Sequence, residues 1–268
     1  MSTRSASEHR HPVLVMLHGF ALHSGLWADL PDALATWSEP RAIDLPGHGT
    51  RPWDTRIADL ASLARVVSEQ IPTGAIVLGW SLGGMVALEL ARQRPATLGG
   101  LVLIATTPRF VGGPNWPHGV DPQALETFAR GVRDDYHRTV QEFLALQTLG
   151  AADSRATLRL LRAGVRSRPA PDPRALECCL DILRHADLRE ALRDVTVEAL
   201  VITGEHDRLT RPAAGAVLAM TLPRARLRQI AGAGHAPFMS HPAVVRDELA
   251  SFIDQLQRAS AAPAQAAG

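Results

Sequence analysis

Residues 79 to 84 read GWSLGG and follow the apolar run AIVL. A serine held between glycines in a strand-to-helix turn has its hydroxyl presented outward, where it can act as a nucleophile. A hydroxyl attacks poorly until a base removes its proton, so Ser81 needs a histidine. Of the eleven histidines, His9 and His11 lie near the N-terminus, and His118, His137 and His185 fall in a strand-poor middle section. His235, in GAGHAPF, follows the last β-type run among small residues that let its ring swing over a sheet edge. The histidine in turn needs a carboxylate to hold its tautomer and stabilise the imidazolium. Gly204-Glu205-His206-Asp207 supplies two candidates just past a strand, of which Asp207 is the first choice and Glu205 the alternative. The negative charge that develops during acyl transfer needs donors. The backbone N–H groups of Leu82 and Phe20 are placed to provide them, the latter in the His18-Gly19-Phe20 stretch after the first strand. Asp44-Leu45-Pro46-Gly47-His48-Gly49 reads as a turn that shapes the site rather than as a chemical group. No HxxxH or CxxC spacing suggests a metal, and no cofactor is expected.

The elements that must position these residues alternate. Val13–Leu17, Arg41–Leu45, Ala75–Gly79, Leu101–Ala105, Ala199–Thr203 and Ala225–Ile230 read as strands, several of them apolar throughout, as strands covered on both faces must be. Helical patterns such as Asp59–Gln70 and Leu82–Arg92 lie between them, which predicts an α/β fold with a mostly parallel sheet flanked by helices. The alternation stops between about 110 and 190. Helical runs near 121–149, 153–167 and 173–186, the last two separated by SRPAPDP, read as an all-helical cap insertion. The expected organisation is a core in two parts, 1–109 and 188–258, a helical cap at 110–187, and a disordered tail from 259 to 268.

The 268 residues carry a formal net charge of +1, which offers no general attraction for nucleic acid. Every basic side chain is arginine. The two cysteines, Cys178 and Cys179, are neighbours and point apart on a helix, suiting neither a disulfide nor a metal pair. No window is long and apolar enough to span a membrane, and MSTRSASEHRH lacks the apolar centre of a secretion signal. A cytoplasmic monomer is the expectation.

With Ser81, Asp207 and His235 in nucleophile–acid–base order, the chain resembles the α/β-hydrolases. GWSLGG, TPRF (107–110), NWPHGVDP (115–122), RTVQEFLALQTLG (138–150) and GHAPFMSHPA (234–243) narrow the resemblance to the BioH-type carboxylesterases of biotin synthesis. That resemblance implies removal of the methyl ester from a pimeloyl chain carried on acyl carrier protein. It makes Ser81, Asp207 and His235 the triad, and it puts Phe20, Leu82 and Phe143-Leu144-Ala145-Leu146-Gln147 around the substrate with Ser81 and His235. A general short-chain carboxylesterase or a carbon–carbon bond hydrolase could use the same triad. The chain departs from the family in two places. Phe20 stands where the family generally has Trp, and only twelve residues precede the first strand, too few for an antiparallel hairpin at the sheet edge.

An acidic carrier implies a basic docking face. Arg155, Arg159, Arg162 and Arg166 are spaced i, i+4, i+7 and i+11, along one side of a helix, with no acidic residue from Ser154 to Arg168. Leu158, Leu161 and Val165 fall on a different stripe and are expected to pack inward.

Overall fold

Six strands form one wholly parallel sheet in the computed structural model, which describes residues 11–261. They are β1 (Val13–Leu17), β2 (Glu39–Ile43), β3 (Ile76–Trp80), β4 (Gly100–Ile104), β5 (Ala199–Gly204) and β6 (Ala225–Ile230), in the spatial order β2-β1-β3-β4-β5-β6. Between β1 and β3 the order of winding reverses, and the crevice outside the carboxyl ends of such strands is where ligands bind in open α/β sheets. No antiparallel hairpin precedes β1 among the described residues.

Burial explains why these runs are strands. β3, β4 and β5 are buried at every position, because helices cover both faces; β2 and β6 are edges and stay partly exposed. The α-helices among the described residues are α1 (Leu30–Leu34), α2 (Leu60–Ser68), α3 (Leu82–Gln93), α4 (Pro122–Asp134), α5 (Tyr136–Thr148), α6 (Ser154–Arg166), α7 (Pro173–His185), α8 (Pro212–Thr221), α9 (Pro237–Ser240) and α10 (Pro242–Ala261). None is long and apolar enough to cross a membrane.

Several sequence expectations shift, β3 and β4 by a single residue and others by more. β2 starts and ends two residues earlier than Arg41–Leu45, because its pairing runs from Val13↔Glu39 to Leu17↔Ile43 and stops where β1 stops. Leu45 instead donates its N–H to His18 Nε2 at 2.9 Å. The helical run at 121–149 is two helices: Asp135 leaves helical geometry at φ −150° and ψ 86°, and its carboxylate caps α5 at Arg138 N. The disordered tail expected from 259 does not hold for 259–261, since α10 continues to Ala261 and Ser260 Oγ bonds to Leu256 O. Residues 262–268 lie outside the described residues.

Residues 110–187 contain α4 to α7 and no strand, and the segment leaves and re-enters the sheet layer through a narrow neck. Arg109 and Asp187 face each other in an antiparallel bridge, their side chains paired at 3.1 Å, while Leu188 N donates to Pro108 O at 2.9 Å. The two ends of the helical segment 110–187 thus meet at one place. Arg168, just past α6, ties the cap down by donating to the buried Asp44 carboxylate at 2.6 Å. Asp44 also accepts from Ser24 N and Thr50 N. Burial opposes its ionisation, but the donors Thr50 and Ser24 outweigh it and hold the group at about 2. The 44–49 turn is therefore a structural anchor, and Arg168 is committed to it.

Two histidines beneath the sheet's carboxyl edge are held neutral. His18 has one tautomer available: Nε2 accepts from Leu45 N, so Nδ1–H donates to Gly19 O at 2.8 Å. Burial, and then the proximity of His48, lower His18 to about 3; burial lowers His48 to about 4. Unfolded histidine titrates near 6.5. Below that pH the unfolded chain binds protons that the folded chain refuses, so stability is fully present above 6.5 and falls as pH drops towards 4. Each group contributes up to about 1.4 kcal/mol per pH unit to that slope. In urea titrations between pH 4 and 6.5, His48→Gln should show a slope shallower by about that amount. Parallel curves for wild type and variant would contradict the assignment.

Candidate active site

Ser81 sits between β3 and α3 at φ 56° and ψ −118°, a backbone conformation a side chain adopts only under strain of about 1–3 kcal/mol. The surroundings hold it there. Ser81 N donates to Ile104 O at 3.0 Å, and Ser81 O accepts from Thr106 Oγ1 at 2.7 Å and from Gly84 N at 2.9 Å. The glycines on either side meet a packing requirement. A Cβ on Gly79 would stand 2.3 Å from Gly83 O, and one on Gly83 would stand 2.3 Å from Leu17 O. Only without those carbons can α3 fold back onto β3 and lie against the end of β1. The result is a serine whose residue is 7% exposed, on the wall of a cavity.

Asp207 follows β5 and His235 follows β6, and the structure brings them together, both buried. Asp207 Oδ2 lies 2.8 Å from His235 Nδ1. The carboxylate also accepts from Leu209 N at 2.8 Å, Thr210 N at 3.0 Å and Thr210 Oγ1 at 2.7 Å, which fixes its orientation. With Nδ1–H committed to Asp207, His235 Nε2 carries the lone pair. That nitrogen is buried and makes no hydrogen bond, to Ser81 Oγ or to any other described group. In free enzymes such bonds are often long and tighten only when substrate binds.

Glu205 does something else. It is exposed, and its Oε2 accepts from Gly232 N at 2.8 Å, shaping the loop that carries His235. That loop is held at three more points. His235 N donates to Gln147 O at 3.0 Å, Trp80 Nε1 donates to His235 O at 2.8 Å, and Ala152 N donates to Gly232 O at 2.9 Å. Two of these contacts come from the cap, so the cap helps to set the position of the candidate base.

Two backbone N–H groups beside Ser81 are the candidate oxyanion donors. Leu82 is the first residue of α3, and neither its N–H nor that of Phe20 has an acceptor among the described residues. The 18–20 loop lies against the serine: a Cβ on Gly19 would be 3.3 Å from Ser81 Cβ. His18, through Leu45 N and Gly19 O, pins this loop to the end of β2.

A cavity of about 250 Å³ opens above Ser81. Phe20 from the core meets Phe128 of α4 and Phe143 of α5, with ring centroids 5.7 and 6.3 Å away, and the two cap rings lie 4.9 Å apart. Leu146 also lines it, so the expected stretch 143–147 contributes one helical face, the i and i+3 positions. The rest of that stretch points elsewhere. Leu144 is fully buried in the core, Ala145 is off the wall, and Gln147, also buried and off the wall, meets the His235 loop through its backbone carbonyl. Leu82 and His235 are not on the wall either; Leu82 offers its backbone N–H and His235 its Nε2. Phe110, Val120, Leu125, Leu183 and Leu209 complete the apolar lining and were missed in the sequence. Only Leu125 and Phe128, an i, i+3 pair on an amphipathic helix, left a readable signal. Arg208, Arg211 and Asp121 also border the cavity.

Ser81→Ala and His235→Ala should each lower turnover by about 10⁴- to 10⁶-fold, and the double variant should be little worse, because the two groups act as a unit. Asp207→Asn should cost about 10⁴-fold by favouring the wrong imidazole tautomer. Glu205→Gln removes one exposed hydrogen bond and should cost less than about tenfold. Steady-state kinetics on a chromogenic ester decide the matter; a larger loss in Glu205→Gln would move the acid to that residue.

Comparison with known proteins bears on the family of the chain. Residues 14–248 match the model of the alpha/beta hydrolase family. The chain is 42% identical over 243 residues to a protein of Xanthomonas oryzae pv. oryzae named pimeloyl-[acyl-carrier protein] methyl ester esterase, covering 90% of this chain and 95% of the relative. It is 41% identical over 229 residues to the protein of the same name in Yersinia pseudotuberculosis, covering 85% and 88%. Among solved structures it resembles a hydrolase from Oleispira antarctica at a TM-score of 0.80 with 21% identity, covering 91% of each chain. An esterase from Exiguobacterium antarcticum superposes equally well, at a TM-score of 0.80 with 19% identity over 91% of this chain and 92% of that one. The last two likenesses establish the fold alone. With a family match over most of its length, the chain belongs to the alpha/beta hydrolase family.

Proposed function

We propose that this protein is a serine carboxylesterase that removes the methyl ester from pimeloyl-acyl carrier protein. The observation that carries the reading is the extent of the match to relatives of that name: 42% identity over 90% of the chain, cap included. Fold and triad alone would leave the substrate open, because one scaffold and one triad serve many reactions. The site geometry supports the chemistry. Ser81 Oγ attacks the ester carbonyl while His235 Nε2 takes its proton, and Asp207 stabilises the imidazolium. The tetrahedral oxyanion is held by the N–H groups of Phe20 and Leu82. Its collapse expels methanol, which receives the proton from His235 and leaves an acyl-enzyme on Ser81. Water, activated by the same histidine, then releases the free carboxylate. The aromatic wall of Phe20, Phe128 and Phe143 offers the polymethylene chain a dry surface.

Carrier docking at α6 belongs to the same proposal. Arg155, Arg159 and Arg166 are exposed, and none is paired with a carboxylate among the described residues. Leu161 packs inward, with Leu158 and Val165 partly buried, as the stripe required. Arg162 departs from the expected face: it is half-buried, its Nε enclosed without a partner. The docking reading therefore rests on three arginines, beside the exposed Leu160. Rim charges of this kind chiefly speed association and lose effect in salt, each exposed pair contributing about 0.2 to 1 kcal/mol.

The direct test compares methyl pimeloyl-acyl carrier protein with free dimethyl pimelate. The carrier-bound ester should show the lower KM, and that advantage should shrink as salt is raised. Arg155→Glu/Arg159→Glu/Arg166→Glu should raise KM for the carrier-bound ester several-fold, to about tenfold, without a matching rise for the free ester. Equal KM values for both substrates in the wild type would argue for a general carboxylesterase.

A further inference from the structure

Two guanidinium groups border a cavity whose other walls are mostly apolar, and an aliphatic chain has no use for them. Arg208 and Arg211 are both exposed, and neither is paired with a carboxylate among the described residues. They flank a rigid turn, since the intervening Leu209 N and Thr210 N both donate to Asp207 Oδ1. From that turn they reach to different neighbours. Arg208 lies across the α5–α6 turn, its Nη2 3.6 Å from where a Cβ on Gly150 would be. Arg211 Nη1 donates to Pro117 O at 3.4 Å, on the side of the 113–120 loop. The one carboxylate on the lining, Asp121, has its Oδ1 engaged by Gln123 N at 2.6 Å as the cap of α4. Two cations against one anion leave the rim positive. Ser81 lines the same cavity.

A substrate placed with its ester carbonyl at Ser81 and its chain along the aromatic wall shares this cavity with both guanidiniums. A neutral end gains nothing from two guanidiniums. A carboxylate gains charge-assisted hydrogen bonds, which are shorter and about twice as strong as neutral ones. We propose that Arg208 and Arg211 form an anion-recognition rim, and that the enzyme therefore also hydrolyses free methyl monoesters of linear dicarboxylic acids. The distal carboxylate is held at the rim while the ester meets Ser81. The inference rests on the serine-esterase reading of Ser81. The step is ordinary ester hydrolysis: the Oγ–acyl bond forms as the acyl–methoxy bond breaks, and the serine proton passes through His235 into methanol. Water then breaks the Oγ–acyl bond, yielding the second carboxylate and one proton to solvent. A phosphodiester on a carrier's pantetheine arm is a second source of the same negative charge, and the test separates the two.

The experiment measures kcat/KM for monomethyl glutarate, adipate and pimelate against neutral methyl esters of the same acyl length. The full-length wild type should favour the monoesters. In Arg208→Gln/Arg211→Gln the ratio of monoester to neutral ester should fall about 10- to 100-fold, and Arg208→Lys/Arg211→Lys should recover part of it. Because the readout is a ratio, a general loss of active protein leaves it unmoved. The same ratio in wild type and in the glutamine variant overturns the proposal. So does a variant effect confined to methyl pimeloyl-4′-phosphopantetheine relative to methyl pimeloyl-pantetheine, which would assign the rim to the arm phosphate. Absence of hydrolysis on every methyl ester would instead remove the esterase reading of Ser81, a failure plainly different from an unchanged ratio.

Discussion

The approach of α3 to the ends of β1 and β3 is the constraint on which the site depends. Backbone meets backbone there at distances that leave no room for a Cβ at Gly79 or Gly83. Because the helix starts so close to the strand, Ser81 has to turn through a left-handed conformation, and its side chain ends up on the cavity wall. The same closeness leaves Leu82 N–H at the first turn of α3 without an acceptor and brings the His18–Phe20 loop against the serine. One packing event thus places the candidate nucleophile, one candidate oxyanion donor and the neighbour of a second. The strain it stores is sustained by the bonds from Ile104, Thr106 and Gly84 and by a fully buried set of central strands.

The cap completes the site as well as covering it. Phe128 and Phe143 meet the core residue Phe20, so the acyl wall exists only when the two layers are joined. Gln147 O and Ala152 N hold the loop of His235 from the cap side. Arg168 and His23 fasten the other end, through Asp44 and through Gly164 O at 2.9 Å. The α5–α6 segment and the loop of His235 are consequently joined by two backbone hydrogen bonds.

Burial assigns the histidines different fates. His18 and His48 are enclosed without a carboxylate in direct contact and are held neutral, which suits His18 to a fixed tautomer that pins a loop. His235 is equally enclosed but touches Asp207, so an imidazolium formed there has a counter-charge at hand. The difference lies in what stands beside the ring. It is set by where the β5 and β6 loops come together.

Several features were legible in the residues alone. Apolar runs alternating with helical periodicity announced a parallel α/β sheet, since strands covered on both faces must be apolar throughout. Ser81, Asp207 and His235 were recognisable because each stands just past a strand in local sequence. The helical nature of 110–187 was readable from the absence of strand-like runs and the Pro-rich breaks. Tertiary structure decided the rest. Asp207 and Glu205 are two residues apart and chemically alike, and only the return of the β6 loop shows that one meets His235 and the other a backbone N–H. The stretch 143–147 looked like a continuous lining, but a helix turns successive residues through different directions, so one face reaches the cavity and the rest meets core and loop. Arg168, Arg162 and Arg208 look alike in a chain whose only basic side chain is arginine. One is sealed to Asp44, one is half-buried on α6 and one stands at the cavity mouth. Local sequence encodes the backbone's periodicity and turn chemistry, whereas a charged side chain's partner is fixed by contacts between residues far apart in the chain.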